Sequence, residues 1–246
     1  MAGLADLGFL PSWFVALPDR DSVGPLGDAL RRHAAGEVSH PSGRPWLVGR
    51  WPENMLCSGQ AGDTKIAVSG QHALTSEQLA NAAGRIQTVA DLDRVAGSLA
   101  GSAHLLASVD GRVRVQGTVT GIRRVFHARV AGMTVAADRA DVLAHLLNSS
   151  LDEQRLAVHL LEPPILYPLA GQPVWRGVAL LPTDRYLVIG GDGEHRLVRW
   201  WTPPAPVMPM AEGAAALRQN RPALPLRPMP PRGPVSPDAV ADAAAP

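Results

Sequence analysis

Residues 101–147 read GSAHLLASVDGRVRVQGTVTGIRRVFHARVAGMTVAADRADVLAHLL, and this stretch decides the fold. After Gly101 the side-chain period is two. Asp110-Gly111 supplies the positive φ values that a two-residue hairpin turn demands, so AHLLASV and RVRVQGTV are expected to pair as antiparallel strands. Within the second strand Val113 and Val115 point one way and Arg112, Arg114 and Gln116 the other, which predicts one covered face and one wetter face. RRVFHARV, a turn at Ala131-Gly132 and MTVAA are expected to continue the meander. Asp138 then reads as the cap of a helix from about Arg139 to Leu147. From Thr120 to Leu147 the sequence holds no nucleophile, metal cluster or phosphate loop.

Working outward, PSWFVALPD (Pro11–Asp19) is an apolar run between prolines, the pattern of a buried strand. Gly24–Gly36 places Leu26, Ala29, Leu30 and His33 at helical spacing and predicts a short helix ended by Gly36. Arg44–Trp51 and Thr64–Gly70 read as strands joined by a Gly/Asn/Asp-rich loop containing Cys57. Leu74–Gly84 is a helix with Thr75 or Ser76 as N-cap, Glu77 in its first turn and Gly84 as terminator. Thr88–Gly101 sets Val89, Leu92, Val95 and Leu99 on one helical face. Asp152 caps a further helix, EQRLAVHLL, which Pro163-Pro164 stops. DRYLVIG and HRLVRWW form a last hairpin through Gly190–Gly193. The sum is an α+β domain from about residue 10 to 202, with antiparallel sheets sandwiched by helical layers.

Bulk composition narrows the function. The formal charge is +1 and 18% of the 246 residues are charged, a field too weak to recruit nucleic acid or an anionic membrane by charge alone. A small-molecule or protein partner is the expectation. The single cysteine rules out an internal disulfide and points to a reducing, cytoplasmic compartment. No run approaches the length of a membrane span, and MAGLADLGFLPSWF lacks a basic n-region. Beyond Pro203 the composition shifts. Residues 221–246 are about one-third proline with no apolar period, the composition of a disordered tail.

Three segments carry a resemblance: IAVSGQHALTSEQLA (66–80), the quoted stretch from Gly101 to Ala144, and PVWRGVALLPTDRYLVIGGDGEHRLVRWWTPP (173–204). Together they resemble the amino-terminal, glutaminase-like half of asparagine-synthetase-type proteins. Ser69-Gly70-Gln71 stands where the family has Asn-Gly-Glu before a helix. Gly121 to Phe126 and Ala137-Asp138 match its Gly-x-x-x-(Phe/Tyr) strand and the following helix start. Val174-Trp175-Arg176-Gly177-Val178 with Leu181-Pro182 matches the turn before the last hairpin, and Arg199-Trp200-Trp201 its closing Arg-x-Tyr-Trp. The match covers about residues 10 to 218. It implies an N-terminal-nucleophile-hydrolase-like, four-layer sandwich with two antiparallel sheets between helices. HPSGRPWLVGRWPEN, VADLDRV and VRWWTPP further resemble the actinobacterial members that close the macrolactam ring of lasso peptides.

In the family, a cysteine at the second position attacks the glutamine amide with its own α-amino group as base. Here the chain begins Met1-Ala2-Gly3, so Ala2 replaces the expected nucleophile, and the resemblance implies a non-catalytic glutaminase domain spanning 1–202. Ser69, Gly70, Gln71 and Asp91 are its vestigial glutamine site. Gly70 could still donate a backbone N–H, but an oxyanion hole without a nucleophile stabilises nothing. Cys57 reads as a small, partly buried residue. The family's synthetase half activates a carboxylate with ATP and Mg through a phosphate loop. That loop should follow MAEGAAALRQ (210–219), yet proline, alanine and arginine follow instead. A linker over 203–220 to a missing synthetase half and a tail over 221–246, either frameshifted or a natural linker, are therefore expected, with no cofactor bound by this chain. A lasso cyclase needs no ammonia, which makes sense of the lost cysteine. The partners implied are a precursor peptide or a biosynthetic protein, and a second copy of the chain as a homodimer.

Other candidates read more plainly. The eight histidines (His33, His40, His72, His104, His127, His145, His159, His195) show no metal-pair spacing, and His104 and His127 read as hydrogen-bonded sheet residues. Arg123-Arg124 is a solvated strand end or a grip for a phosphate or carboxylate. Asp93, like Asp91, is a helix-surface acid or a mimic of the residue that binds the glutamine amino group. Gly190–Glu194 is a hairpin tip. Trp46, Trp51, Trp175, Trp200 and Trp201 anchor the core or dock a partner. Two rival readings stay open: a fragment of a glutamine-hydrolysing asparagine synthetase, and a free-standing peptide- or protein-binding module.

Overall fold

The computed structural model describes residues 12–161 and 171–203, with the isolated positions 212 and 214. The chain divides into two compact units, Met1–Thr202 and Pro203–Pro246, and the architecture below is that of the first. Ala2, the Pro163-Pro164 stop, the tail over 221–246 and most of the expected linker over 203–220 lie outside the described residues.

Two six-stranded sheets are formed, with every pairing antiparallel. The first contains β1 (Trp13–Ala16), β2 (Gly36–Ser39), β3 (Pro45–Arg50), β8 (Phe126–Val130), β9 (Met133–Ala137) and β10 (Ala179–Leu180), in the order β10-β8-β9-β1-β3-β2. The second contains β4 (Leu56–Ala61), β5 (Thr64–His72), β6 (Gly101–Val109), β7 (Arg112–Gln116), β11 (Arg185–Ile189) and β12 (His195–Arg199), in the order β12-β11-β7-β6-β5-β4.

Strand alternation sorts the apolar side chains into three layers. Phe14, Ala16 and Ala136 of the first sheet meet Ala67, Leu106, Val113 and Leu187 of the second, so the sheets face each other. On the far side of the first sheet, Val15 and Val135 pack against Leu30 of α1 (Gly24–Arg31) and Leu143 of α4 (Ala140–Leu147). On the far side of the second, Ile66, Val68 and Leu105 pack against Leu79 of α2 (Ser76–Ala83) and Leu92 of α3 (Leu92–Ser98). Each fully buried Leu, Val or Ile contributes about 1.5–3 kcal/mol relative to exposure, so both helix layers are held by burial. This unit is an α+β four-layer sandwich with two antiparallel sheets between helices, the arrangement that the resemblance implies.

Local chemistry sets the turns and caps. Asp110 (φ 47) and Gly111 (φ 69) form the expected positive-φ hairpin turn, and Ala131 (φ 48) and Gly132 (φ 78) form a second one. Thr75 caps α2 in a capping box with Gln78. The Asp152 side chain accepts from Arg155 N at the start of α5 (Glu153–His159).

Five expectations change. Gly36 does not end α1, which stops at Arg31, but opens β2. A Cβ there would lie 2.8 Å from Trp51 Cζ2, so the glycine lets that ring cross the strand. Cys57 lies not in a loop but in β4, which pairs with β5 over Leu56↔Ser69 to Ala61↔Thr64. The loop-like Gly59 is where α2 crosses β4: a Cβ would run into Ala80 N and come 2.7 Å from Leu79 C. The meander also breaks. After Gln116 the chain leaves the second sheet, and β8 and β9 belong to the first.

The expected wetter face of β7 is covered by α3. Arg114 is fully buried there, over the Tyr186 ring at 3.6 Å, donating to Val89 O at 2.7 Å and paired with Asp93 at 2.7 Å. Lastly, Asp138 does not cap α4, whose N-cap is Arg139. Its Oδ1 accepts the N–H of Phe14 at 2.8 Å, tying the end of β9 to the start of β1.

Candidate functional site

The carboxyl end of β5 places Ser69-Gly70-Gln71 opposite the start of β6, with Ser69↔His104, Gly70↔Ala103, Gln71↔Ser102 and His72↔Gly101. Ala67 and Leu106 lie between the sheets and Ile66 and Val68 on the helix side, so alternation turns Ser69, Ser102 and His104 inward between the sheets, while Gln71, beyond the positive-φ Gly70, is exposed. The His104 ring meets the Phe14 ring edge-on, with centroids 5.1 Å apart. Phe14 belongs to β1. The start of β1 is therefore brought against the Ser69–His104 rung from the opposite sheet.

Glycine is required at position 70. Its φ is +136, and a Cβ would stand 2.5 Å from the Ser102 carbonyl oxygen. The Gly70 N–H, the group that an oxyanion hole would use, donates instead to Met55 O at 2.7 Å. This bond extends the β4–β5 ladder one residue past Leu56, so the amide is engaged within the sheet rather than presented to a ligand.

Burial pushes the His104 imidazole down to about 4, against the Arg124 carbonyl 2.9 Å from its Nε2. That nitrogen carries the proton, because a carbonyl only accepts. Burial likewise pushes the Asp138 carboxyl up to about 6, opposed by the Phe14 N–H.

Several buried polar atoms have no hydrogen-bond partner among the described residues: Ser102 Oγ, both ring nitrogens of His72, Arg50 Nε and Trp200 Nε1 belong to this group. An unsatisfied buried group costs roughly 1–3 kcal/mol, so each marks a place where water or a ligand would be stabilising. Ser102 and Trp200 line one cavity of about 290 Å³ with Gln116 and the loop that follows β7. Arg50 pairs with Trp13 at the start of β1. Neither Arg50 nor Ser102 is singled out as a site residue by the sequence, and the register between strands reveals them, whereas Trp200 lies in the closing Arg199-Trp200-Trp201 match.

The remaining sequence candidates separate. Asp91 does not join Ser69, Gly70 or Gln71 through any hydrogen bond among the described residues. Its Oδ2 accepts from Thr88 N (2.8 Å), Gln87 N (3.1 Å) and Thr88 Oγ1 (3.1 Å), and the Thr88 amide leads in holding its carboxyl below the usual range. Asp93 pairs with Arg114. Cys57, on the helix side of β4 with the apolar layer of α2, has Sγ 3.3 Å from Ser76 Oγ, on the opposite face from Ser69.

No three His, Cys, Asp or Glu side chains among the described residues converge on one point. At the Gly190–Glu194 tip, Gly190 N donates to Glu194 O, Gly193 N to Gly190 O and Glu194 N to Asp192 Oδ1, so these amides are turned into the hairpin. No helix among the described residues is long and apolar enough to cross a membrane.

The tryptophans divide too. Trp46 is fully buried, Trp51, Trp175 and Trp200 pack against the three apolar layers, and Trp201 is half-buried at the end of the domain.

No protein-family model matches the chain, and no curated protein matches it. Solved structures that the chain is similar to include two of note. One, described as an allosteric regulatory enzyme of purine biosynthesis, aligns with TM-score 0.47 and 10% identity over 78% of this chain and 49% of that one. The other, glutamine phosphoribosylpyrophosphate amidotransferase from B. subtilis complexed with ADP and GMP, aligns with TM-score 0.43 and 10% identity over the same shares. This chain spans about half the length of either. The layer order above rests on the chain's own packing.

Proposed function

We propose that the domain is a glutaminase-like domain of an asparagine-synthetase-type amide ligase, of the kind that forms lasso-peptide macrolactams, and that it has given up glutamine hydrolysis. The observation that carries the reading is the Gly70–Met55 hydrogen bond. The element that would stabilise a tetrahedral intermediate has been absorbed into sheet pairing. Two further observations support it. Asp91 is committed to the entry of α3, and Cys57 lies on the helix side of its sheet, away from the inward row. Ser69, Gly70, Gln71 and Asp91 are then the vestige of a glutamine site, and the four layers act as a scaffold for a precursor peptide or a biosynthetic partner. ATP and Mg would belong to a synthetase half.

The test is glutamine turnover by the purified chain, followed as glutamate release, beside Cys57→Ser. No release from either is expected. Release by the parent chain that Cys57→Ser abolishes would overturn the reading. The lasso assignment rests separately on gene context: a leader-peptide protease and a short precursor gene beside this one support it, and their absence removes it.

A further inference from the structure

The crossover from β7 to β8 is a closed loop with two cations at its exit. Thr118 N donates to Arg123 O (3.1 Å), Arg123 N to Thr118 Oγ1 (3.0 Å) and Gly121 N to Thr118 O (3.0 Å). Gly117 and Gly121 (φ 72) make this closure sterically open: a Cβ on Gly117 would run into Arg123 O, and one on Gly121 would meet Thr183 Cγ2 at 3.4 Å. The loop is thus fixed by its own backbone and seated on the turn before β11.

Beside it lies a cavity of about 240 Å³, lined by Thr118, Thr120, Arg123, Arg124 and Thr183 with glycine and apolar walls. No Asp or Glu is among its described lining residues. The nearest acid in sequence, Asp184, is paired with Arg199 at 3.1 Å. Arg123 uses its Nε on Ser102 O at 3.0 Å, and Arg124 places its Nε 3.4 Å from Gly121 O. Neither guanidinium pairs with a carboxylate among the described residues, so the terminal nitrogens of both remain for a ligand. Thr118 Oγ1 accepts from Arg123 N and from Thr120 Oγ1 (3.1 Å), which leaves its own proton to donate.

From this geometry we infer a binding site for a small oxyanion, a phosphate or a carboxylate, gripped by Arg123 and Arg124 with the Thr118 hydroxyl. Two guanidiniums on a preformed loop favour a bidentate anion, since little side-chain and loop freedom remains to be lost. The volume is below the roughly 300 Å³ where drug-sized ligand pockets begin, so the ligand is a small acid or the anionic end of a larger molecule. This inference is independent of the glutaminase reading.

The experiment titrates the full chain with inorganic phosphate and, separately, with succinate, by calorimetry and by amide NMR shifts. Saturable binding of one of them is expected, with shifts centred on residues 117–125, and the stronger ligand identifies the source of the anion. The double change Arg123→Gln/Arg124→Gln is expected to weaken binding roughly ten- to hundredfold. Circular dichroism and the thermal midpoint in anion-free buffer check that this variant folds; the shifts on the unaltered chain need no variant. Absence of saturation by either anion up to about 10 mM, shifts centred away from this loop, or unchanged affinity in the folded double variant would each overturn the site.

Discussion

The amide of Gly70 donates to the carbonyl of Met55 at 2.7 Å, so a group suited to binding a developing oxyanion is a rung of a sheet. The Gly70 amide should therefore exchange with solvent as slowly as its neighbours on β5, because it opens only when β4 separates from β5. Hydrogen exchange read by NMR decides this. A fast-exchanging Gly70 beside protected Val68 and Ala103 would return the amide to the ligand side and undo the argument for lost hydrolysis.

Arg114 and Asp93 hold α3 against the second sheet. The arginine is fully buried while Asp93 is about half exposed. Removing Asp93 leaves a buried cation, and truncating Arg114 leaves the Val89 carbonyl and Gln116 without their donor. Breaking a buried pair costs about 3–5 kcal/mol, with the lower end expected for Asp93→Ala because water can reach its position. Arg114→Met, which keeps much of the volume over the Tyr186 ring, should cost less than Arg114→Ala. Urea unfolding midpoints give the order, and equal losses for Met and Ala would deny that packing contributes.

Glycine positions separate close packing from turn geometry. At Gly59 a methyl group would strike the α2 backbone, whereas Gly62 (φ 55) has nothing within 4 Å of a built Cβ. Gly62→Ala should cost about 1–2 kcal/mol, the price of a left-handed residue. Gly59→Ala should cost more, since the helix must move as a body. Thermal midpoints of the two variants make the comparison, and a smaller loss at Gly59 would mean that α2 floats over β4.

That same glycine explains what the sequence left unread. The hairpin at Ala131-Gly132 is marked by its glycine, with Ala131 also at positive φ, and that at Asp110-Gly111 is legible because only a few residue types tolerate two positive-φ positions. β4 is not, because LCSGQA shows neither alternation nor β-branched residues; its strand character comes from six rungs to β5 and from the helix above it. Arg114 looks solvated in RVRVQ because a period of two reports alternation but not what covers the second face. The candidate site divides likewise. Ser69-Gly70-Gln71 is visible as a motif, but the loss of the Gly70 amide depends on Met55, fifteen positions away. The convergence of β1 on that rung passes through Phe14 and His104, which no spacing relates.

The pH dependence sets these buried groups against each other. Burial lowers His40, His104 and His127 to about 4 each from 6.5. Their folded forms resist the proton that the unfolded chain accepts, so stability falls as pH drops from about 6.5 toward 4, by up to about 3 kcal/mol per histidine. Asp138 has the opposite sign. Its folded pKa of about 6 lies above the unfolded 3.8, so the native state holds its proton more tightly. Stability from this group is present below pH 4 and lost as pH rises through 6, again by up to about 3 kcal/mol. Across the window from 6 down to 4 it therefore offsets part of the histidine loss. Asp138→Asn keeps an acceptor for the Phe14 N–H and removes the titration. It should raise stability at pH 7 and make the acid decline between pH 6 and 4 steeper than in the parent chain. Urea unfolding at several pH values measures both. A parallel pair of curves would show that Asp138 titrates alike in the folded and unfolded chain, and that its bond to Phe14 balances its burial.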